Sequence, residues 1–319
     1  MSAEVERMRA TVILCTYNRC ESLARALDSV LNSTLPASIQ WEVLVVDNNS
    51  QDMTRSVVEA YARKHPGRLL YLFEPRQGKS YALNRGTNVA RGDVLAFMDD
   101  DVEVDRQWLG GLVDKLNDRK WAGAGGRVLP QVGFVPSRWM DVRGLYGLAP
   151  LAIFDLGLEA GELREAPFGA NMAFRKEMFA KYGAFRTDLG PQPGSEIRNE
   201  DSEFGSRLLA AGEHLWYEPS AVVYHHIPES RAQRKYFQMW WFDKGRADIL
   251  QMGIPCDTKW FIGGIPLYLF RRLARWTLQW TTSIREPARF SSKLRVWALA
   301  GSILECHKQA RRAAQIRWF

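Results

Sequence analysis

Three consecutive carboxylates, Asp99-Asp100-Asp101, follow the apolar run Val94-Leu95-Ala96-Phe97-Met98. A strand that ends in three acids either opens into a solvated turn or holds something cationic, because adjacent carboxylates repel and raise each other's pKa. A hard divalent ion held by one or two carboxylates and by substrate phosphates removes that cost. Oxygen donors select Mg²⁺ or Mn²⁺ over softer metals. A second acidic group, Glu200-Asp201-Ser202-Glu203, opens a helical stretch that stops at Ala211-Gly212. The helix dipole alone favours acids there, and a carboxylate so placed can also act as a general base. His225-His226 follows the strand-like Ala221 to Tyr224. A neutral imidazole can ligate a metal, and strand alternation lets only one of the two face inward.

The elements that must position these groups follow from periodicity. Thr11 to Thr16, Glu42 to Val46 and Leu69 to Phe73 read as strands, while Leu23, Ala24, Leu27, Val30 and Leu31, then Val57, Val58 and Tyr61, repeat at helical spacing. A βαβα order implies a mainly parallel sheet covered by helices on both faces, with ligands at the carboxyl ends of its strands. Thr16-Tyr17-Asn18-Arg19, then Asp47, then Glu74 to Lys79, then the aspartate triplet each follow a strand and are expected to form one site. There is no G-x-G-x-x-G after the first strand and no complete P-loop; Gly78-Lys79-Ser80 lacks the upstream glycine. Further on, Trp108 to Leu116 reads as a helix and Ala122 to Leu129 as a strand or loop. Residues 130 to 166 read as an excursion on the acceptor side, Phe168 to Phe174 as a strand, and Leu215 to Tyr217 and Ala221 to Tyr224 as two short strands. Gly190, Pro191, Pro193 and Gly194 mark a flexible loop over Thr187 to Arg198, before Glu200.

The 319 residues carry a net charge of +7, unevenly spread. From Arg231 onward there are 17 Lys and Arg against 5 Asp and Glu, and residues 1 to 230 hold 26 against 31. Seven of the twelve Trp also lie after Arg231. A basic, Trp-rich tail suits an anionic surface, nucleic acid or lipid headgroups. Four cysteines without paired spacing imply a reducing compartment, and Met1 to Arg9 lacks the apolar core of a signal peptide, so a cytoplasmic location is expected.

Taken together and in this order, the motifs resemble the family 2 glycosyltransferases, inverting enzymes of GT-A fold. The resemblance rests on Cys15-Thr16-Tyr17-Asn18-Arg19, Val45-Val46-Asp47-Asn48-Asn49-Ser50-Gln51-Asp52, Gly78-Lys79 with Ala82-Leu83-Asn84, the D-x-D as Asp99-Asp100-Asp101, Glu200-Asp201, and a histidine after the last strand. It spans about two thirds of the chain. It implies an α/β GT-A architecture, with a Rossmann-like mainly parallel sheet, helices on both faces and a helical C-terminal extension. Residues 1–230 would be the catalytic domain, with a nucleotide-sugar half to about 129 and an acceptor half beyond it, and 231–319 the extension. By resemblance Asp101 ligates the metal with Asp99 and His225, and Asp99 also lies near the donor's ribose, with Asp100 beside it. Asp47 reads the nucleobase, where a carboxylate can accept the imide N–H of uracil or thymine, although Asp47 is also a turn former. Thr16, Tyr17 and Arg19 frame the nucleotide, Lys79 and Asn84 complete the donor site, Asp201 is the base and Glu200 orients or polarises.

Processive members carry Q-x-x-R-W and spanning helices. Here the region reads Gln233-Arg234-Lys235-Tyr236-Phe237, and Gln315-Ile316-Arg317-Trp318 is one residue short and misplaced, so transfer of a single sugar is expected. The longest apolar stretch of the tail, Trp260 to Phe270, is 11 residues, whereas a spanning helix needs about 20. Arg271, Arg272 and Arg275, interleaved with Leu273, Trp276, Leu278 and Trp280, suit either an interfacial amphipathic helix or a packed helix with a solvated basic face. The first alternative implies peripheral contact with the inner face of the plasma membrane and a polyprenyl-linked acceptor. A nucleotidyltransferase would want a glycine-rich phosphate loop after the first strand, which Thr16-Tyr17-Asn18-Arg19-Cys20 is not. No nucleic-acid-binding motif accompanies the basic tail, so nucleic acid is not expected as a partner.

Overall fold

The computed structural model describes residues 8–142 and 147–316, the side chains of 314–316 excepted. The expectations for the first seven residues and for Arg317-Trp318 lie outside the described residues. The chain runs through β1 (Arg9–Thr16), α1 (Cys20–Leu31), β2 (Gln40–Asp47), α2 (Thr54–Lys64), β3 (Leu69–Phe73), α3 (Lys79–Val89), β4 (Val94–Asp99), β5 (Val102–Val104), α4 (Trp108–Lys115) and β6 (Trp121–Pro130). After these come β7 (Gly161–Leu163), β8 (Met172–Arg175), α5 (Lys176–Tyr182), α6 (Glu200–Ala210) and β9 (His214–His225). A helical C-terminal region follows, with α7 (Arg234–Met252), a short hairpin of β10 (Phe261–Ile262) and β11 (Ile265–Pro266), α8 (Leu267–Thr282) and α9 (Glu286–Ile316).

Among the described residues, nine strands form one sheet in the order β3-β2-β1-β4-β8-β6-β9-β5, with β7 paired to β9. The β3-β2-β1-β4 half is wholly parallel, as its continuous apolar runs require, since both faces are covered. Beyond it the sheet is mixed, because β8 runs antiparallel to both β4 and β6. Register settles what the strands present. Thr16 pairs with Asp47, Cys15 with Asp99 and Asp47 with Phe73, so four strands end at one edge. Val102 pairs with His225, which brings the far end of β9 to the residue just after the aspartate triplet.

The mixed half departs from the sequence reading: β8 begins at Met172, where a strand was expected from Phe168. The two short strands expected near 215 and 224 are one, β9, interrupted in its pairing: the partner of β6 jumps from Glu218, opposite Gly126, to Val222, opposite Arg127. The Glu218-Pro219-Ser220 gap left between the two expected strands, together with Ala221, forms a bulge, an extra length of chain that bends the strand without ending it. Helix α3 also lacks a strong apolar stripe in sequence. A Cβ on its Gly86 would lie 2.8 Å from Ile13 Cγ2, so the helix sits on β1 through a glycine, where no side chain could reveal the packing.

Chain contacts divide the molecule into two compact units. The first gathers Met1–Val132, Ala152–Thr187 and Glu200–His226, and the second Gly133–Leu151, Asp188–Asn199 and Ile227–Phe319. In the first, Phe97 of β4 meets Phe174, Phe179 and Phe185, and Phe179 stacks on Phe204 at 4.3 Å, which seats α5 and α6 on the sheet. In the second, α7 and α9 cross at two glycines. A Cβ on Gly245 would fall 1.8 Å from the Ala298 carbonyl oxygen, and one on Gly301 1.9 Å from that of Phe242. Backbone on both sides leaves nothing flexible to yield. Gly301→Ala should therefore destabilise the protein by about 2 kcal/mol or more, beyond the ~1 kcal/mol that alanine returns as a better helix former. Thermal unfolding checks this, and an unchanged midpoint would show that the crossing tolerates a methyl group. Among the described residues no helix is long and apolar enough to cross a membrane.

Candidate active site

The parallel strand ends of the first unit bring Thr16, Asp47 and Asp99 to one edge, and hydrogen bonds give the three aspartates there different partners. Asp100 points inward and is 5% exposed. The Thr16 hydroxyl donates to its Oδ2 at 2.7 Å and Arg19 Nη1 to its Oδ1 at 3.0 Å. Burial pushes its carboxyl up to about 6, with Arg19 opposing the rise and Asp101 adding to it. The same Arg19 nitrogen reaches Asp101 Oδ2 at 2.9 Å. Asp101 Oδ1 lies 3.4 Å from Nε2 of His225, which is 1% exposed, whereas His226 is exposed and its backbone N–H donates to the Asp101 carbonyl. Alternation along the strand thus turns the first of the two histidines inward.

Asp99 is held differently. Lys79, the first residue of α3, places Nζ 2.8 Å from Asp99 Oδ1 and 3.4 Å from Glu200 Oε1. One ammonium therefore ties the acidic end of β4 to the start of α6, 101 positions further along the chain. Burial works against the charged lysine, yet Asp99, Glu200 and Asp201 hold it protonated well above the ordinary range. Burial pushes Glu200 up to about 7 against the pull of Lys79, with Asp201 adding to the rise. Beside it, Asp201 accepts the Gly169 N–H at Oδ2 and the Ser202 N–H at Oδ1, both at 2.7 Å. A Cβ on Gly169 would lie 2.2 Å from Asp201 Oδ2, so only glycine permits this approach.

Asp47 is buried. It accepts the Tyr71 hydroxyl at 2.8 Å on one oxygen and the Ser50 N–H at 2.9 Å on the other. The turn it forms is tied to the loop after β1, where Ser50 Oγ accepts from Asn18 N–H and Asn18 Oδ1 accepts from Gln51 N–H. Tyr17 stays exposed at the rim. Asn84 is elsewhere: its amide spans Phe185, donating to the carbonyl at 2.9 Å and accepting the N–H at 2.9 Å, so it fastens the chain after α5. Asn48, given no role of its own by the sequence, donates to the carbonyls of Glu74 and Arg76 and accepts the Gly78 N–H, which shapes the loop leading to Lys79. Gly169 was likewise passed over. Its signal was a glycine next to a buried strand, which is common enough to carry no weight by itself.

Among the described residues, no three His, Cys, Asp or Glu side chains converge into a ready cation cage. The acids are compensated by Arg19 and Lys79 instead.

A sequence model described as "Glycosyl transferase family 2" matches residues 11–183, more than half of the chain. This chain belongs to glycosyl transferase family 2. The glycosyltransferase is 29% identical over 228 residues to the succinoglycan biosynthesis protein ExoM of Rhizobium meliloti, covering 71% of this chain and 70% of that one. It is 27% identical over 277 residues to the glucosyl-dolichyl phosphate glucuronosyltransferase of Haloferax volcanii, covering 83% and 86%. Among solved structures, the mannosyltransferase PcManGT of Pyrobaculum calidifontis, in complex with GDP-Man and Mn2+, superposes with a TM-score of 0.57 at 20% identity, over 99% of this chain and 82% of that one. The fold of this glycosyltransferase is GT-A, a central mixed sheet between helices with a helical C-terminal region.

Proposed function

We propose that this glycosyltransferase is an inverting, divalent-metal-dependent enzyme of hexosyl type. It moves one sugar from a nucleoside-diphosphate sugar, UDP- or dTDP-linked, to a hydroxyl of a glycan or polyprenyl-linked acceptor in cell-surface polysaccharide synthesis. The catalytic work is assigned to residues 1–230, acting on a cytoplasmic donor. The observation that carries the reading is the Lys79 bridge from Asp99 to Glu200, 2.8 and 3.4 Å, because it draws the aspartate triplet and the Glu200-Asp201 pair into one site.

The donor set fits a hard divalent ion. Asp101, Asp99 and the inward imidazole of His225 would hold it, and an ion that takes only one or two carboxylates plus phosphate oxygens and water needs no all-protein cage. When bound it would neutralise and orient the departing diphosphate. Lys79 and Arg19, both held charged by surrounding acids, add fixed positive charge for the phosphates. Asp47 would read the base: each of its oxygens has one partner, and a carboxylate oxygen accepts two. Asp201, its orientation held by Gly169, would take the acceptor hydroxyl's proton on the face opposite the leaving group. The names of the relatives favour the acceptor class, one a succinoglycan biosynthesis protein and one acting on a dolichyl-phosphate-linked sugar.

A donor screen tests the reading. UDP-, dTDP- and GDP-sugars are offered with Mn²⁺, and nucleotide release and thermal shift are recorded. Release with UDP- or dTDP-sugars is expected. Preference for a GDP-sugar would remove Asp47 from base recognition, and no release with any donor would overturn the proposal.

A further inference from the structure

Within the second unit, one stretch presents large apolar side chains to solvent. The β10–β11 hairpin turns through Gly263 and Gly264, both at positive φ, and is closed by the Leu267 N–H donating to the Trp260 carbonyl. It displays Trp260 at 71% exposure, Phe261 at 47% and Ile262 at 57%. The hairpin's attachment is made by other residues: Ile265 packs on the Ile249, Leu269, Leu299 and Cys306 cluster.

Helix α8 follows at once and has two distinct faces. Leu269, Leu273 and Trp276 face the cluster, and Arg295 of α9 lies 4.2 Å over the Trp276 ring. The opposite face carries Arg271, Arg275 and Leu278, spaced to share one side of a helix, all exposed, Leu278 at 65%. From Met252 to Arg289 there are six basic against two acidic side chains. An exposed aromatic tip beside a helix that is basic and apolar on its outer face combines the two contributions that reversible bilayer attachment needs, apolar insertion and attraction to anionic headgroups. A neutral apolar partner would leave the exposed arginines that follow the tip on α8 without a role, whereas a headgroup layer supplies the opposite charge and a place for Trp at the apolar–polar boundary.

We propose that the Trp260–Ile262 hairpin tip and the Arg271, Arg275 and Leu278 face of α8 form a docking surface for an anionic lipid bilayer. The tip enters the interface and the arginines pair with headgroup phosphates. The surface goes beyond the donor reading and does not depend on it.

The test is co-sedimentation of the full chain with vesicles of phosphatidylcholine alone and of phosphatidylcholine mixed with phosphatidylglycerol. Wild type is expected to pellet with the mixed vesicles and not with the neutral ones, and to be released by salt. Combined Trp260→Ser, Phe261→Ser and Ile262→Ser, and separately Arg271→Glu with Arg275→Glu, should each lower the partition coefficient by about tenfold or more. The second pair alters only exposed positions, so the test stands even where the first set fails to fold. Equal binding to neutral vesicles, no binding, or undiminished binding by the arginine pair overturns the proposal. So does a wild-type dimer of this chain, seen by light scattering, that the hairpin variant loses. Nucleotide release is read in the same samples: lost vesicle binding with release intact counts against this surface alone, and absent release with binding intact counts against the donor reading.

Discussion

Asp201→Asn should slow sugar transfer by about 10²- to 10⁴-fold while donor binding, read by calorimetry, stays nearly unchanged. The size of the effect follows from what the substitution removes. A general base must carry the acceptor proton away as the bond forms, and an amide cannot. The geometry also predicts what the variant keeps. Asp201 accepts two backbone N–H groups, from Gly169 and Ser202, one on each oxygen. An asparagine has a single acceptor oxygen, so one of those N–H groups will face an NH₂, at a cost of about 1–3 kcal/mol. The thermal midpoint should fall slightly and the donor site, built on β1, β2 and β4, should survive. Full transfer activity in Asp201→Asn would remove Asp201 from the mechanism. Loss of donor binding together with transfer would mean that its role is to hold the fold of the site.

Chelation of divalent ions should abolish transfer, and Asp101→Asn should raise the Mn²⁺ concentration needed for half-maximal rate by about tenfold or more. The substitution keeps the shape of the side chain and removes a charge. Asp100 keeps its bonds to Thr16 and Arg19, so the strand end should stay in place. Binding of Mn²⁺ in the presence of UDP, measured by calorimetry, separates this from a general loss of activity: the Asp101 variant should bind the ion weakly, while the Asp201 variant should bind it as wild type does. Undiminished transfer in chelator would overturn the metal assignment for Asp99, Asp101 and His225 together.

Much of the first unit was legible before any coordinates. Val12-Ile13-Leu14, Val43 to Val46 and Val94 to Met98 are continuous apolar runs because a parallel strand covered on both faces has no solvent side to mark with polar residues. The polar residues that interrupt each run had to lie at strand ends, and so Thr16, Arg19, Asp47, Lys79 and the aspartates could be grouped although sequence holds them far apart. Asn84 shows the limit of that grouping. It stands in a motif with Lys79, yet five residues along a helix carry it round to Phe185, where both its hydrogen-bonding groups are used.

Residue order by itself determined the parallel half of the sheet, the edge at which its polar side chains gather, and the chemical types assembled there, since burial and strand period leave few other arrangements for those runs. Which aspartate faces Thr16, which meets Lys79 and which meets His225 was decided only by tertiary structure. Three adjacent identical carboxylates have no local feature to tell them apart, and each acquired its task from a partner that the sheet register, α3 and the far end of β9 brought to it.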